Sequence, residues 1–271
     1  MKNSSKIVLA LSVSVAVLSA APAFAAAILI VNGASQTSET GTTNLITNNL
    51  AALETAAGNT PTVVDSIAAS TDLSGYAAVW DIRFSNVWAL TSDDLANYTA
   101  YLQGGGSMFV MGENGGFMDR NNSIYSLINS LGGGSLGFQQ CGDTQTVNPP
   151  LTGPNPVTSF SYLAPGGFDG SGTAAVVTTD GSCASALSWG KGTLSNALDG
   201  NIVSVLDVNF MEGEAEVGVD SNNFLKNLIG FVDNGGVVTP PNGTPEPASL
   251  ALFGAGLLGL KRLSRRAKKI S

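Results

Sequence analysis

The chain has 271 residues, with twelve Lys and Arg, twenty Asp and Glu, two cysteines and no histidine. All twenty acidic residues lie between Glu39 and Glu246, where the only basic residues are Arg83, Arg120, Lys191 and Lys226, so that stretch carries a net charge of −16. Such a surface repels phosphate backbones and excludes nucleic-acid binding, and without histidine no His-based nucleophilic centre can be assembled.

The N-terminus is built for export. Lys2 and Lys6 give a positive start, Ile7 to Ala20 is apolar apart from three serines, and Pro22 precedes Ala23-Phe24-Ala25, a small-x-small cleavage site. Residues 1–25 are expected to be a secretory signal peptide cut after Ala25, with an anchored N-terminal helix as the alternative. About 210 residues follow before a Gly/Pro-rich linker, enough for one domain with a sizeable core. Cys141 and Cys183 both fall in the exported part, and their spacing fits no metal site. They are predicted to form a disulfide, which on the chain-entropy model contributes roughly 4 kcal/mol.

Within the domain, Ala26 to Val31 reads as a buried parallel strand ending in Asn32-Gly33. A helix over about 43–57 follows, with Leu45, Ile46, Leu50 and Leu53 on one side. Strands are expected at Pro61 to Ile67 and at Ala77 to Trp80, the latter ending at Asp81. Thr91 with Asp94 three residues on reads as a helix N-cap. Leu95, Tyr98 and Leu102 continue that helix, and Gly104-Gly105-Gly106 stops it. A fourth strand, Ser107 to Met111, runs into Gly112-Glu113-Asn114. The next helix shows Ile124, Leu127, Ile128 and Leu131 at i, i+3, i+4, i+7. Residues 133–200 break the rhythm and read as inserted hairpins and loops, stapled by the disulfide. Ile202 to Leu206 is a fifth core strand, ending at Asp207-Val208-Asn209. A last helix is expected from about Ser221 to Val232, capped by Asp220 or Ser221, before the linker 234–244. Alternating strands and helices predict an α/β domain over 26–233, with a flavodoxin-like parallel sheet in the order 2-1-3-4-5.

The tail carries the most specific signal. Pro245-Glu246-Pro247 is followed by an uncharged run, Ala248 to Leu260, and then by Lys261, Arg262, Arg265, Arg266, Lys268 and Lys269. Thirteen residues at helical rise span about 20 Å against roughly 30 Å of hydrocarbon, short for a permanent span unless the basic residues snorkel. The basic cluster marks a cytoplasmic flank and places the domain outside; a surface-lying helix with a solvated basic end is the alternative. The order of motif, apolar segment and basic end over 245–271 resembles the PEP-CTERM sorting signal of Gram-negative bacteria. That resemblance implies a transmembrane segment at 248–260 and processing by an exosortase-type protease after transient residence in the inner membrane. It further implies delivery to the cell surface or extracellular matrix, with exopolysaccharide and biofilm as the expected surroundings.

A second resemblance covers roughly 26–233. Leu95, Tyr98, Leu102, Gly105 and Gly106, then a strand and a Gly-Glu-Asn turn, are similar to the class I glutamine amidotransferase-like superfamily. Val205-Leu206-Asp207-Val208-Asn209-Phe210, with Asn222, Asn223 and Asn227 after it, fits that superfamily's non-amidotransferase branches, such as the trehalose-utilisation type. The resemblance places a catalytic cysteine in the turn after the fourth strand, paired with a histidine. Here that turn holds Glu113 and Asn114, so the amidotransferase mechanism is excluded.

What remains is polar residues at strand ends, the edge where open α/β sheets bind ligands. Asn32, Asp81, Glu113, Asn114, Asp207 and Asn209 lie there, with Arg83 and Arg120 close behind two of the strands. They are the candidate ligand pocket; the competing reading is that they cap helices and turns while the arginines pair locally. Glu113 with Asp81 or Asp207 offers the two carboxylates a glycosidase needs. Glu212, Glu214, Glu216 and Asp220 crowd one loop without EF-hand spacing. Trp80 is expected in the core, and Trp88 and Trp189 are the candidates for exposed sugar stacking. No cofactor, resident metal or catalytic residue is assigned. The expected function is an exported surface or matrix protein with a non-catalytic domain that contacts polysaccharide. The alternatives are a glycan hydrolase and a calcium-stabilised structural protein.

Overall fold

The computed structural model describes residues 25–236. The expected signal peptide, most of the linker and the sorting signal with its segment 248–260 lie outside the described residues. Among the described residues, no helix is long and apolar enough to cross a membrane.

Five parallel strands form the centre: β1 (Ala27–Val31), β2 (Thr60–Val64), β3 (Ala78–Asp81), β4 (Ser107–Gly112) and a late strand at Asn201–Leu206. Their spatial order is β2-β1-β3-β4 and then the late strand, the order expected for the core. Because helices cover both faces, both sides of β1, β3, β4 and the late strand are buried and these strands read as continuous apolar runs, while β2 lies at the sheet edge and is largely exposed. In β1, Ile28 and Ile30 face one layer and Leu29 and Val31 the other. The first layer is closed by α1 (Thr40–Ala56), through Ile46 and Leu50, and by a C-terminal helix at Glu214–Asp233, through Phe224, Leu225 and Leu228. The second is closed by α2 (Ser92–Gln103), through Tyr98 and Leu102, and by α3 (Met118–Ser130), through Ile124, Leu127 and Ile128.

Residues 133–200 do not stand apart as an insertion. They form β5 (Gly137–Gln140), β6 (Thr144–Val147), β7 (Ser159–Ser161), β8 (Gly166–Asp169), β9 (Ala175–Thr179) and β10 (Ala184–Trp189), and the late core strand is therefore β11. β10 pairs antiparallel with β11, and β9, β6 and β7 follow in turn, so one eleven-stranded sheet runs through the whole domain. The region also supplies core: Phe160 stacks on Phe224 at 4.8 Å, and Trp189 packs edge-on to Phe168 at 6.3 Å. Cys141 and Cys183 are disulfide-bonded, as expected, with Cα atoms 5.5 Å apart. β8 crosses directly over the bridge, and a Cβ at Gly167 would run into both sulfurs.

Two tryptophan expectations are overturned. Trp88 and Trp189 are 8 % and 0 % exposed, as buried in practice as Trp80. Each indole finds a backbone acceptor for its one polar atom: Trp88 Nε1 donates to Gly33 O at 2.9 Å and Trp189 Nε1 to Gly133 O at 3.0 Å. Once that donor is satisfied the whole ring can leave water. The last helical span, α4 (Glu214–Asp233), opens within its bounds on a separate short turn. Gly218 (φ 85°, ψ 170°) breaks it, and Glu214 and Glu216 form a first turn of their own. Gly213 precedes only that short first turn, and the long helix runs from beyond Gly218 to Asp233, close to the start expected near Ser221.

Where α1 and α4 end, two acids are buried together. Glu54 is fully buried, and Asn59 Nδ2 donates to Glu54 Oε2 at 2.7 Å and to Asp233 Oδ2 at 2.6 Å. Glu54 Oε1, Asp233 Oδ1 and Trp80 Nε1 are buried beside one another without a further well-aligned bond. Burial first, and then the charge of Asp233, pushes Glu54 up to about 9, and burial pushes Asp233 up to about 6. At neutral pH the pair therefore holds a proton that the unfolded chain, with Glu54 near its ordinary 4.5, has released. Stability from this pair is present in full at acidic pH and falls as pH rises towards about 9. Glu54→Gln replaces the shared proton by an amide donor. In melting-temperature series from pH 5 to 9, the wild type should lose stability with rising pH faster than Glu54→Gln; parallel curves would show that no proton is shared.

Candidate functional site

At the end of β3, Asp81 is completely buried and holds two arginines. Arg83 grips it with both arms of the fork, Nε to Oδ1 at 2.9 Å and Nη2 to Oδ2 at 2.7 Å. Arg120, from the first turn of α3, approaches Oδ1 at 3.0 Å. Tyr98 donates its hydroxyl to Oδ2 at 2.9 Å. Arg83 Nη2 also reaches Asp94 Oδ1 at 3.0 Å. Asp94 is at the same time the N3 residue of the capping box that starts α2, exchanging hydrogen bonds with Thr91. Arg120 spends its other donors on the carbonyls of Met111 (3.0 Å) and Trp88 (2.8 Å).

Two buried cations thus balance two buried anions. Burial alone would raise Asp81, but the charges of Arg120 and Arg83 outweigh it and hold the carboxylate well below its usual range. The guanidiniums shift in opposite directions. Burial lowers Arg120, which meets the carboxylate with one arm, whereas the fork on Asp81 overcomes burial and raises Arg83. Both remain charged, since guanidinium does not deprotonate in proteins.

This network also closes the crevice where the strand order reverses, between β1 and β3, the usual ligand position in such sheets. Gly33, at the end of β1, has φ +65°, and a Cβ there would run into the Trp88 ring and the Arg83 side chain. Trp88 lies over it, with the Arg83 guanidinium carbon 5.3 Å from the ring centroid. The chain's own indole and guanidinium fill that position.

A second cluster forms between β4 and β11. Glu113, 2 % exposed, stands in the turn after β4. Its Oε1 accepts from Asn114 N at 2.8 Å and its Oε2 from Val208 N at 2.9 Å. Asp207, fully buried, accepts from Asn209 N (2.8 Å) and Phe210 N (3.3 Å) on Oδ1 and from Leu163 N (3.0 Å) on Oδ2. Asn121 clamps the same turn, accepting from Glu113 N and donating to Glu113 O. Burial pushes Glu113 up to about 7 against those backbone bonds. Asp207 is raised by burial and then by the charge of Glu113. The two carboxyls therefore titrate as one unit and retain a proton near neutrality.

The remaining candidates serve local geometry. Asn32 accepts from Ala34 N and donates to Thr47 Oγ1. Asn114 accepts from Gly116 N, and Asn209 donates to Glu212 Oε1. Of the predicted pocket residues, Asp81 joins Arg83 and Arg120, and Glu113 joins Asn114 and Asp207. No hydrogen bond or ion pair among the described residues links the two groups. The acidic residues Glu212, Glu214, Glu216 and Asp220 do not converge. Among the described residues, the one cluster of three metal-ligating side chains is Cys141, Cys183 and Asp180, whose sulfurs are already bonded to each other. Asp94, Tyr98 and Asn121 were missing from the predicted pocket. Asp94 reads fully as a cap and Tyr98 as helix spacing, so neither carries a sequence signal for its second role.

Comparison with known proteins bears on the ends and the middle of the chain separately. Residues 244–268 match the PEP-CTERM protein-sorting motif. This motif implies export and exosortase-dependent placement at the cell surface or outside the cell. No curated protein matches the sequence. Among solved structures, the domain is similar to a ThuA-like protein of Bacteroides uniformis (15 % identity, 79 % of this chain and 94 % of the other, TM-score 0.50). It is likewise similar to a ThuA-like protein of Parabacteroides merdae (12 % identity, 82 % and 95 %, TM-score 0.50). A third is described as the mmIFT52 N-terminal domain (13 % identity, 78 % and 98 %, TM-score 0.55). These likenesses show the fold, and they agree with an amidotransferase-like central domain.

Removing the anion from the Asp81 network leaves two buried cations with one partner. Asp81→Ala should lower unfolding free energy by about 3–5 kcal/mol in urea titrations. Asn32→Ala, at a half-exposed turn, should cost about 1 kcal/mol. Equal, small losses would mean that the network is not what holds this edge together.

Proposed function

We propose that this chain is an exported, exosortase-sorted protein of the cell surface or extracellular matrix, with an amidotransferase-like domain that performs no catalysis and contacts exopolysaccharide. The supporting observation is the state of the strand-end edge. Every predicted pocket carboxylate is buried and spends its oxygens on this chain's own amides, guanidiniums or phenol. A catalytic acid or nucleophile needs a reacting atom within hydrogen-bond reach, and these groups have no free face to offer one. The position that holds a nucleophile in the resembling family is Glu113, with its two oxygens on Asn114 N and Val208 N. With all three tryptophans inside, polysaccharide contact falls to tyrosine, hydroxyl and amide side chains.

One observation favours the hydrolase reading. Glu113 and Asp207 are adjacent, and burial raises both, which is how a pair of carboxyls divides into acid and base. If they act on a glycan, Glu113→Ala and Asp207→Ala each abolish release of reducing ends from polysaccharide. The non-catalytic reading expects no release from the wild type either, and wild-type release lost in both variants would overturn it.

Sorting has its own test. Mass spectrometry of the protein from its exporting host should find a chain beginning near Ala26 and ending near Pro247, after removal of the basic tail. A mature chain that keeps Lys261 to Lys269 would overturn processing and, with it, release from the inner membrane.

A further inference from the structure

The C-terminal edge of the sheet is saturated, but the opposite edge is open. Between the segment that leads into β3 and the end of α2 lies a cleft of about 380 Å³, inside the roughly 300–1,000 Å³ range of ligand sites. Asp72, Ser74, Tyr76, Asn97, Tyr101 and Gly105 are among the residues that line it. Tyr101 forms a fixed wall. Its ring lies against Gly106, where a Cβ would come within 2.5 Å of it, and its hydroxyl is held at the carbonyls of Tyr76 (3.1 Å) and Ser107 (3.2 Å). Tyr76 is half-buried, packed on one side against the core.

The polar lining is one-sided. Asn97 is 6 % exposed; its Nδ2 donates to Ala68 O at 2.9 Å, and its Oδ1 accepts from no described residue. Asp72 accepts from Ser74 N at 2.9 Å, and the bonds from Ser74 hold its carboxyl below the usual range, so it is ionised. Ala100, Tyr101 and Gly104 bring the C-terminal turn of α2, with its partial negative charge, to the cleft, and the carbonyls of Ala100, Tyr101 and Leu102 already accept from Gly104 N, Gly106 N and Gly105 N. No Lys or Arg lines it. Such a cleft offers the Asp72 carboxylate and Asn97 Oδ1 as acceptors, the hydroxyls of Ser74 and Tyr76, and no cation. It suits a ligand that brings hydroxyl donors and an apolar ring face, and it disfavours carboxylates and phosphates.

We propose that this cleft binds a short segment of uncharged polysaccharide, with the Tyr76 ring against a sugar face and Asn97 Oδ1 and the Asp72 carboxylate accepting from sugar hydroxyls. The assignment rests on the polysaccharide reading above and adds the place and the charge class. It lies on the edge opposite the one where open α/β sheets normally bind.

The test is titration calorimetry of the purified full chain with neutral dextran, mannan and galactan oligosaccharides, an alginate oligosaccharide and the host's exopolysaccharide. The expected result is binding of at least one neutral glycan and none of alginate. Tyr76→Ala should weaken the neutral complex about tenfold or more and Asp72→Asn about threefold. Asp72 is exposed, so Asp72→Asn should melt with the wild type, whereas Tyr76 packs partly against the core, so Tyr76→Ala is titrated at a temperature where its far-UV circular dichroism matches the folded wild type. Neutral-glycan binding that neither variant changes would overturn the cleft while leaving the polysaccharide reading intact. Binding of no glycan at all would overturn both, and alginate binding as tight as neutral binding would overturn the charge argument.

Discussion

The carboxylate of Asp81 is the constraint on which the rest of the structure depends. It sits fully buried at the tip of β3 and gathers groups from three places. Arg83 comes from the following loop, Tyr98 from α2 and Arg120 from α3. Asp94, which starts α2, is drawn in through Arg83. One ion cluster therefore sets where both helices of one layer begin relative to the sheet, and Trp88 is trapped between the cluster and Gly33. Isolated buried ions are costly, and a removed partner leaves the others uncompensated. The arrangement holds because the charges balance and the carboxylate's oxygens are all engaged.

The domain buries acids in three chemically distinct ways. Asp81 is neutralised by guanidinium. Glu113 and Asp207 are held by backbone amides at turns, with burial still raising both. Glu54 and Asp233 share one amide donor and a proton. Only the first is indifferent to pH over the ordinary range. The other two lie at opposite ends of the sheet, and both weaken as pH rises, because each folded pair binds protons that the unfolded chain gives up. An exported protein of this design keeps its tightest packing in mildly acidic surroundings.

Much of the frame was legible in the sequence. Apolar runs of β1, β4 and β11 mark strands buried on both sides, and Thr91 with Asp94 marks the start of α2, because those signals are local. The fate of the strand-end residues is not local. Asp, Asn and Arg at such positions read equally as a ligand pocket or as caps and pairs, and the choice turns on whether Trp88 folds back over Gly33, a contact 55 residues apart in sequence. The extension of the sheet through β10, β9, β6 and β7 was hidden for a similar reason. Short alternating strands between Gly- and Pro-rich turns do not reveal whether they pair with each other alone or with the edge of an existing sheet.

The placement of the cations connects the fold to its surroundings. Of the four basic residues between Glu39 and Glu246, Arg83 and Arg120 are 2 % and 0 % exposed and already matched to Asp81 and Asp94. That leaves Lys191 and Lys226 as the cations with solvent-facing surface among the described residues. The exterior is thus almost purely anionic, and the positive charge that could have recognised an acidic polymer is spent inside, on architecture. Long-range repulsion then disfavours approach of nucleic acid and uronate-rich glycans. On the proposed reading, contact with a matrix is left to uncharged surfaces, where hydroxyl, amide and tyrosine side chains meet neutral sugar without an electrostatic barrier. The interaction that organises the core therefore also narrows the class of polymer that the outside can hold.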